Sequence, residues 1–188
     1  MPILGIIASS QQAAVSTAFE SIATITAAGG ESSLSFSSIP GTYKHLQVRG
    51  IIKDASAGAN FTSGNFQFNS DSGTNYARHD LNGNGSSASA SGTASTFYIG
   101  PLDVPYAGLT SIFGAVIIDI LDYASTSKYK TARFFAGLDT NNATLKGSVD
   151  LASGLWMSTS AINSITFGTG TANGFAAGST FALYGIKG

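Results

Sequence analysis

His45-Leu-Gln-Val-Arg-Gly-Ile-Ile-Lys-Asp54 decides how the rest of the chain is read. Side chains alternate sides along a strand, so Leu46, Val48, Gly50 and Ile52 share one face while Gln47, Arg49, Ile51 and Lys53 share the other. The first set is expected in a core. The same period-two writing recurs on both sides of this segment. Upstream, Phe19–Thr26 and Ser33–Ser37 flank Ala27-Ala-Gly-Gly-Glu31, where two glycines can close a short connection. Downstream, Asn65–Asn69, Tyr76–Asn82, Thr96–Ile99, Phe113–Asp122, Thr131–Leu138, Ser148–Leu155, Ala161–Phe167 and Thr180–Ile186 are separated by Gly, Ser, Asn and Asp clusters. Phe113-Gly-Ala-Val-Ile-Ile-Asp-Ile-Leu121 is apolar on nearly every side, which suits the middle of a sheet. Residues 82–95 carry no side chain larger than asparagine and are expected as a long exposed loop.

Eight or more short strands with no helix between them must hide one face each. The economical solution is an all-β fold, a two-sheet antiparallel β-sandwich of jelly-roll type with an extended N-terminal arm; an up-and-down barrel is the alternative. The arm is placed at residues 1–18 and the sandwich at 19–188. Phe19, Leu46, Val48, Ile117, Phe134 and Trp156 are the candidate core. No repeat of fixed period points to a propeller or solenoid.

Composition narrows the function classes. Of 188 residues, only 10% are charged, against roughly a quarter in an ordinary soluble domain, and the net charge is −1. Gly, Ala, Ser and Thr fill half the positions. Such a surface does little to keep copies apart, so assembly is favoured. The basic residues are scattered from Lys44 to Lys187, and no patch can neutralise a run of phosphates, so nucleic acid is not an expected partner. There is no cysteine, which removes disulfides, thiolate catalysis and Cys-type zinc sites, and agrees with assembly in a reducing cytoplasm. Met1-Pro-Ile-Leu-Gly-Ile-Ile-Ala8 is too short to cross a bilayer and no Lys or Arg precedes Lys44, so neither a membrane segment nor a signal peptide is expected. Ile3, Leu4, Ile6 and Ile7 have no evident pairing partner in the chain and are the candidate partner-binding residues.

The search for a reaction centre is short. The two histidines are His45 and His79; His79 adjoins Asp80, but neighbours on a strand point to opposite faces. Asp119 and Asp122 lie three apart, again on opposite faces of a strand, and strand-end hydrogen bonding suits Asp122 better than a paired-carboxylate hydrolase. Ser125-Thr-Ser-Lys128 matches S-x-x-K but lacks the helix that motif needs. Asp139 to Asp150 has Thr144 at position six and Asp at position twelve, so a polar hairpin turn fits better than a calcium loop. No catalytic residue, cofactor or metal ligand is therefore assigned, and the chain is not expected to be an enzyme. Tyr43, Tyr76, Tyr98, Tyr106, Tyr123 and Trp156 could stack on sugars if exposed together, which makes a glycan contact the alternative to a core role.

Several segments together resemble a family of virion proteins from tailed phages, especially those of aquatic cyanobacteria and other marine bacteria. They are Ile3-Leu-Gly-Ile-Ile-Ala-Ser-Ser10, Phe19-Glu-Ser-Ile-Ala-Thr-Ile-Thr26, Phe36-Ser-Ser-Ile-Pro-Gly-Thr-Tyr-Lys-His-Leu-Gln-Val-Arg-Gly50, Asn69-Ser-Asp-Ser-Gly-Thr-Asn-Tyr76, Asp119-Ile-Leu-Asp-Tyr-Ala-Ser-Thr126, Ser153-Gly-Leu-Trp-Met-Ser-Thr-Ser-Ala-Ile162 and Phe181-Ala-Leu-Tyr-Gly-Ile-Lys-Gly188. The resemblance implies a homotrimer at the virion surface and brings no catalytic residues. It implies a capsid decoration (cement) protein, assembled in the host cytoplasm, that binds the finished capsid and bridges neighbouring subunits of the major capsid protein. The alternative it carries is a tail-fibre module that contacts host-surface glycans.

Overall fold

The computed structural model describes residues 18–188. It contains twelve strands: β1 (Phe19–Thr26), β2 (Ser33–Phe36), β3 (His45–Ile52), β4 (Phe61–Phe68), β5 (Tyr76–Gly83), β6 (Ala88–Thr96), β7 (Ile99–Pro105), β8 (Gly114–Leu121), β9 (Lys130–Asp139), β10 (Gly147–Trp156), β11 (Ile165–Gly168) and β12 (Thr180–Ile186). They form an eight-stranded sheet in the order β1-β12-β3-β8-β9-β10-β5-β6 and a four-stranded sheet in the order β2-β11-β4-β7. Every pairing within the two sheets is antiparallel.

The connectivity is that of a jelly roll with two additions. Four pairs nest inside one another: β1 with β12, β2 with β11, β3 with β8 and β4 with β7. The first and third pairs make one sheet and the second and fourth the other, as the chain winds round a sandwich. The four strands left over are two hairpins. β5–β6 is inserted between β4 and β7, β9–β10 between β8 and β11, and both extend the larger sheet beyond β8.

The alternation of β3 lands as its sequence implies, with Leu46, Val48, Gly50 and Ile52 buried and Arg49 and Ile51 exposed. The inner faces meet in one cluster that includes Phe66, Phe68, Tyr76, Phe134, Trp156, Phe167 and Phe181. Phe167 and Phe181 stack across the two sheets with ring centroids 4.0 Å apart. Burial of each such side chain contributes about 1.5–3 kcal/mol, so this cluster is the main source of stability in a chain without disulfides.

Three expectations need correction. Phe19 and Ile117 are not core: they are 46% and 43% exposed, on the outer face of the large sheet, while Leu46, Val48, Phe134 and Trp156 are buried. β8 is central in its sheet and apolar on both sides, but no further layer covers its outer side among the described residues. Residues 82–95 are not a long loop. Asn84–Ser87 make a tight turn in which the Asn84 side chain accepts from the Ser86 and Ser87 amides at 3.0 and 2.9 Å, and β6 then pairs with β5. Main-chain hydrogen bonds to a neighbouring strand order this segment without any large side chain to bury.

Candidate functional site

The β5–β6 hairpin and the start of β10 reverse the usual polarity of a sandwich. On the inner face of β5 stand Arg78, Asp80 and Asn82, opposite Thr93, Ser91 and Ser89 of β6, with Ser148 and Asp150 on the neighbouring β10. On the outer face of the same strands stand Leu81, Ala88, Ala90, Val149 and Leu151. Antiparallel sheets ordinarily turn the apolar face inward and the polar face to water. Here the side turned away from the sandwich is the apolar one.

Strand register makes that outer face continuous. One row runs Arg49–Ile117–Phe135–Leu151–Leu81–Ala90 across six strands, β3 to β6, and the next runs Ile51–Ala115–Gly137–Val149–Gly83–Ala88. Ile51, Leu81, Ile117, Phe135, Val149 and Leu151 are all exposed, with Leu151 the most open at 58%. Between Ile117, Phe135 and Val149 lies a shallow apolar depression of about 550 Å³, floored by Gly137. A third row, Gln47–Asp119–Arg133–Ser153–His79, borders the stripe with polar groups. Gln47 donates to Asp119 at 2.8 Å and accepts from Arg49 at 2.9 Å.

Under the overhang of β5, β6 and β10 the reversed polarity leaves a polar cleft of about 530 Å³. Arg78 donates to Asp80 at 2.7 Å and to the Gly100 carbonyl at 3.2 Å, and Ser91 donates to Asp80 at 2.9 Å. At its floor Asp103 of β7 and Asp150 of β10 are buried and hydrogen-bonded to each other. Ser148 donates to Asp103 Oδ2 at 2.7 Å, and Asn82 Nδ2 donates to Asp150 Oδ1 at 3.0 Å. Burial, then the hydrogen bond to Asp150, pushes the Asp103 carboxyl up to about 7. Asp103 is therefore protonated in part at neutral pH and more fully as the pH falls. Tyr98 and Phe61 stand at the rim.

The other candidates separate rather than converge. His79 is exposed on the outer face and Asp80 lies on the inner one, so the adjacent pair does not meet. Asp119 bonds Gln47, whereas Asp122 ends β8 and accepts from Lys128 at 2.8 Å and Lys44 at 3.1 Å. Lys128 and then Lys44 hold the Asp122 carboxyl down at about 2. That ion pair takes Lys128 away from Ser125, whose hydroxyl lies 3.4 Å from Ser127 Oγ. His45 Nδ1 accepts from the Asp122 amide at 3.0 Å. Between Asp139, the last residue of β9, and Gly147, the first of β10, the chain makes a hairpin turn in which Asp139 accepts from the Asn141 amide at 2.7 Å, while Asp150 of β10 lines the cleft. Among the described residues no three His, Asp or Glu side chains gather in a metal-binding group. Of the six aromatics named for sugar stacking, Tyr76, Tyr123 and Trp156 are buried, and Tyr98 alone stands at the cleft. Ile3, Leu4, Ile6 and Ile7 lie outside the described residues.

Sequence reasoning missed the apolar face and the Asp103–Asp150 pair. The face was visible only as the second apolar side of β8, and the two acids come from strands far apart in the chain. Compared with family models, curated proteins and solved structures, the chain matches none of them.

Proposed function

We propose that this chain is a capsid decoration (cement) protein of a tailed phage, bound at the outer surface of the assembled shell. It stabilises the shell by bridging neighbouring subunits of the major capsid protein, with Ile3, Leu4, Ile6 and Ile7 as the anchoring segment and a homotrimer as the unit that binds. The observation that carries this reading is the apolar outer face of the large sheet. An apolar face at the upper end of what an ordinary monomer exposes suits a surface of interaction. The low charge of the chain and the resemblance of its segments to tailed-phage virion proteins agree with it.

A ligand that binds only the assembled shell stabilises it by mass action, and the gain grows as RT ln(1 + [L]/Kd). The test is to add the purified chain to shells that lack it and to measure occupancy and the temperature at which the shells open. Full-length protein is expected to bind in hundreds of copies and to raise the opening temperature; a variant lacking residues 2–18 is expected to lose most of its occupancy. Undiminished occupancy of the truncated chain overturns the anchoring role, and absence of binding by the full chain overturns the reading.

The polar cleft favours one second reading, a tail-fibre module that contacts host glycans. Carboxylates, an amide, serine hydroxyls and the Tyr98 ring are groups that bind sugar hydroxyls and the faces of sugar rings. Copy number separates the two readings: a few tens of copies at the tail would favour the second.

A further inference from the structure

We infer that the apolar outer face of the large sheet is covered by a second copy of this same chain, so that sheet packs on sheet between protomers. The inference rests on the proposed reading of the face as an assembly surface and names its occupant.

Three observations select another copy over the shell. The first is size. Ile51, Leu81, Ile117, Phe135, Val149 and Leu151 together expose on the order of 600 Å². That equals the largest apolar patch of an ordinary monomer and approaches the roughly 800 Å² per partner of a stable interface once a polar rim is added. The second is permanence. The patch runs across β3, β8, β9, β10 and β5, strands whose other face builds the core, so it is part of the folded chain itself. Another copy of the chain is a cover that is always made at the same time and place and in equal number.

The third observation is self-complementarity. The polar row beside the stripe sets Asp119 directly across from Arg133 on the adjacent strand, so both signs of charge lie one strand apart on the same border. A patch with that border offers a neighbouring copy both signs of charge to pair with, whether the copies meet two by two or around a trimer. Ala115, Gly137, Gly83, Ala88 and Ala90 lie between the large side chains and keep the surface low. Packed sheets then approach to about 10 Å, the spacing found inside a sandwich.

The experiment is sedimentation equilibrium on the purified full chain over a range of concentrations, with Leu151→Lys, Phe135→Thr and, off the face, Tyr129→Ser. Leu151, Phe135 and Tyr129 are each more than half exposed, so none of the three is held by core packing. Near-ultraviolet circular dichroism checks that each variant is folded. Wild type and Tyr129→Ser are expected to sediment as two or more protomers at micromolar concentration. Leu151→Lys and Phe135→Thr are expected to associate at least tenfold more weakly while remaining folded.

A wild-type chain that sediments as one protomer overturns the inference and leaves the shell or residues 1–17 as the cover. An oligomer whose mass neither face variant changes also overturns it, because the copies would then meet elsewhere. Shell occupancy is scored separately: an oligomer that depends on Leu151 but does not bind shells keeps this inference and loses the proposed function, and a monomer that binds shells does the reverse.

Discussion

Replacing Asp103 by asparagine should remove a stretch of pH dependence from the stability of this chain. The Asp103 carboxyl titrates near 3.8 in an unfolded chain and at about 7 in the fold, where burial and the Asp150 carboxyl oppose its ionisation. Its folded value is raised, so the native state binds one more proton than the unfolded state between those limits. Its contribution is therefore fully present below about pH 4, declines as pH rises, and is gone above about pH 7. At about 1.4 kcal/mol for each pH unit that separates the two values, the loss across the window is on the order of 4 kcal/mol.

Asparagine keeps the oxygen that accepts from Ser148 and offers an N–H to Asp150 in place of the carboxyl proton, but it does not titrate. The difference in unfolding free energy, Asp103→Asn minus wild type, should thus climb by a few kcal/mol from pH 4 to pH 8. The variant should be the more stable protein at pH 8. Urea unfolding followed by the fluorescence of Trp156, the single and buried tryptophan, measures this directly. Other carboxylates act in the opposite sense: Asp71 and Asp122, held below their ordinary value, add stability as pH rises through the acid range. They are common to both proteins and cancel in the difference. Arg78 and Asp80, the charged neighbours in the cleft, neutralise each other. Two curves that stay parallel from pH 4 to pH 8 would refute the raised titration of Asp103.

Gly50→Ala should destabilise by about 1–3 kcal/mol, because a Cβ there would lie 2.7 Å from the Phe181 ring and 2.9 Å from Val116, both in the packed core; an unchanged melting temperature would contradict that packing. Lys130→Met should cost about 2–3 kcal/mol. The buried ammonium donates to the carbonyls of Lys128 at 2.7 Å, Thr159 at 3.2 Å and Ser158 at 3.4 Å, and methionine leaves them without that donor, as calorimetry would register. Trp156→Phe should cost about 1–2 kcal/mol, since the indole N–H donates to Asp71 at 2.7 Å and so ties the turn after β4 to β10; a double-mutant cycle with Asp71→Asn checks whether the loss belongs to that bond.

What was legible in the sequence was whatever was written in large apolar side chains. β1, β2, β3, β8, β9, β10 and β12 fall within a residue or two of where alternation placed them, because each sets large side chains against small or polar ones at period two. β6 uses the same period in an alphabet too small to register as hydrophobic: Ala88, Ala90 and Gly92 face out while Ser89, Ser91 and Thr93 face the cleft. Read as composition, that segment looks unable to repay its ordering; read as alternation, it is a strand. The candidate core erred at Ile117 for a related reason. An apolar residue on a central strand is buried only if something lies over that side, and periodicity does not say how many layers the fold has. The cleft was hidden more deeply, since Asp103 and Asp150 are brought together by the pairing of strands and not by any local spacing.

The inserted hairpins also bear on how the chain divides its labour. The eight jelly-roll strands carry Phe66, Phe167 and Phe181, and the inserted strands close the same core with Tyr76 of β5, Phe134 of β9 and Trp156 of β10. They add sheet area whose inner side is partly polar and whose outer side is apolar, and a two-stranded ribbon such as β5–β6 is marginal when it stands alone. Pairing of β5 with β10 supplies part of its stability, through eight matched positions from Val149–Gly83 to Trp156–Tyr76. Burial of Leu81, Val149 and Leu151 against a partner would supply more, at about 25 cal/mol for each Å² removed from water. The extension and its partner would then stabilise each other, and the adhesive surface would gain its rigidity from the contact it makes.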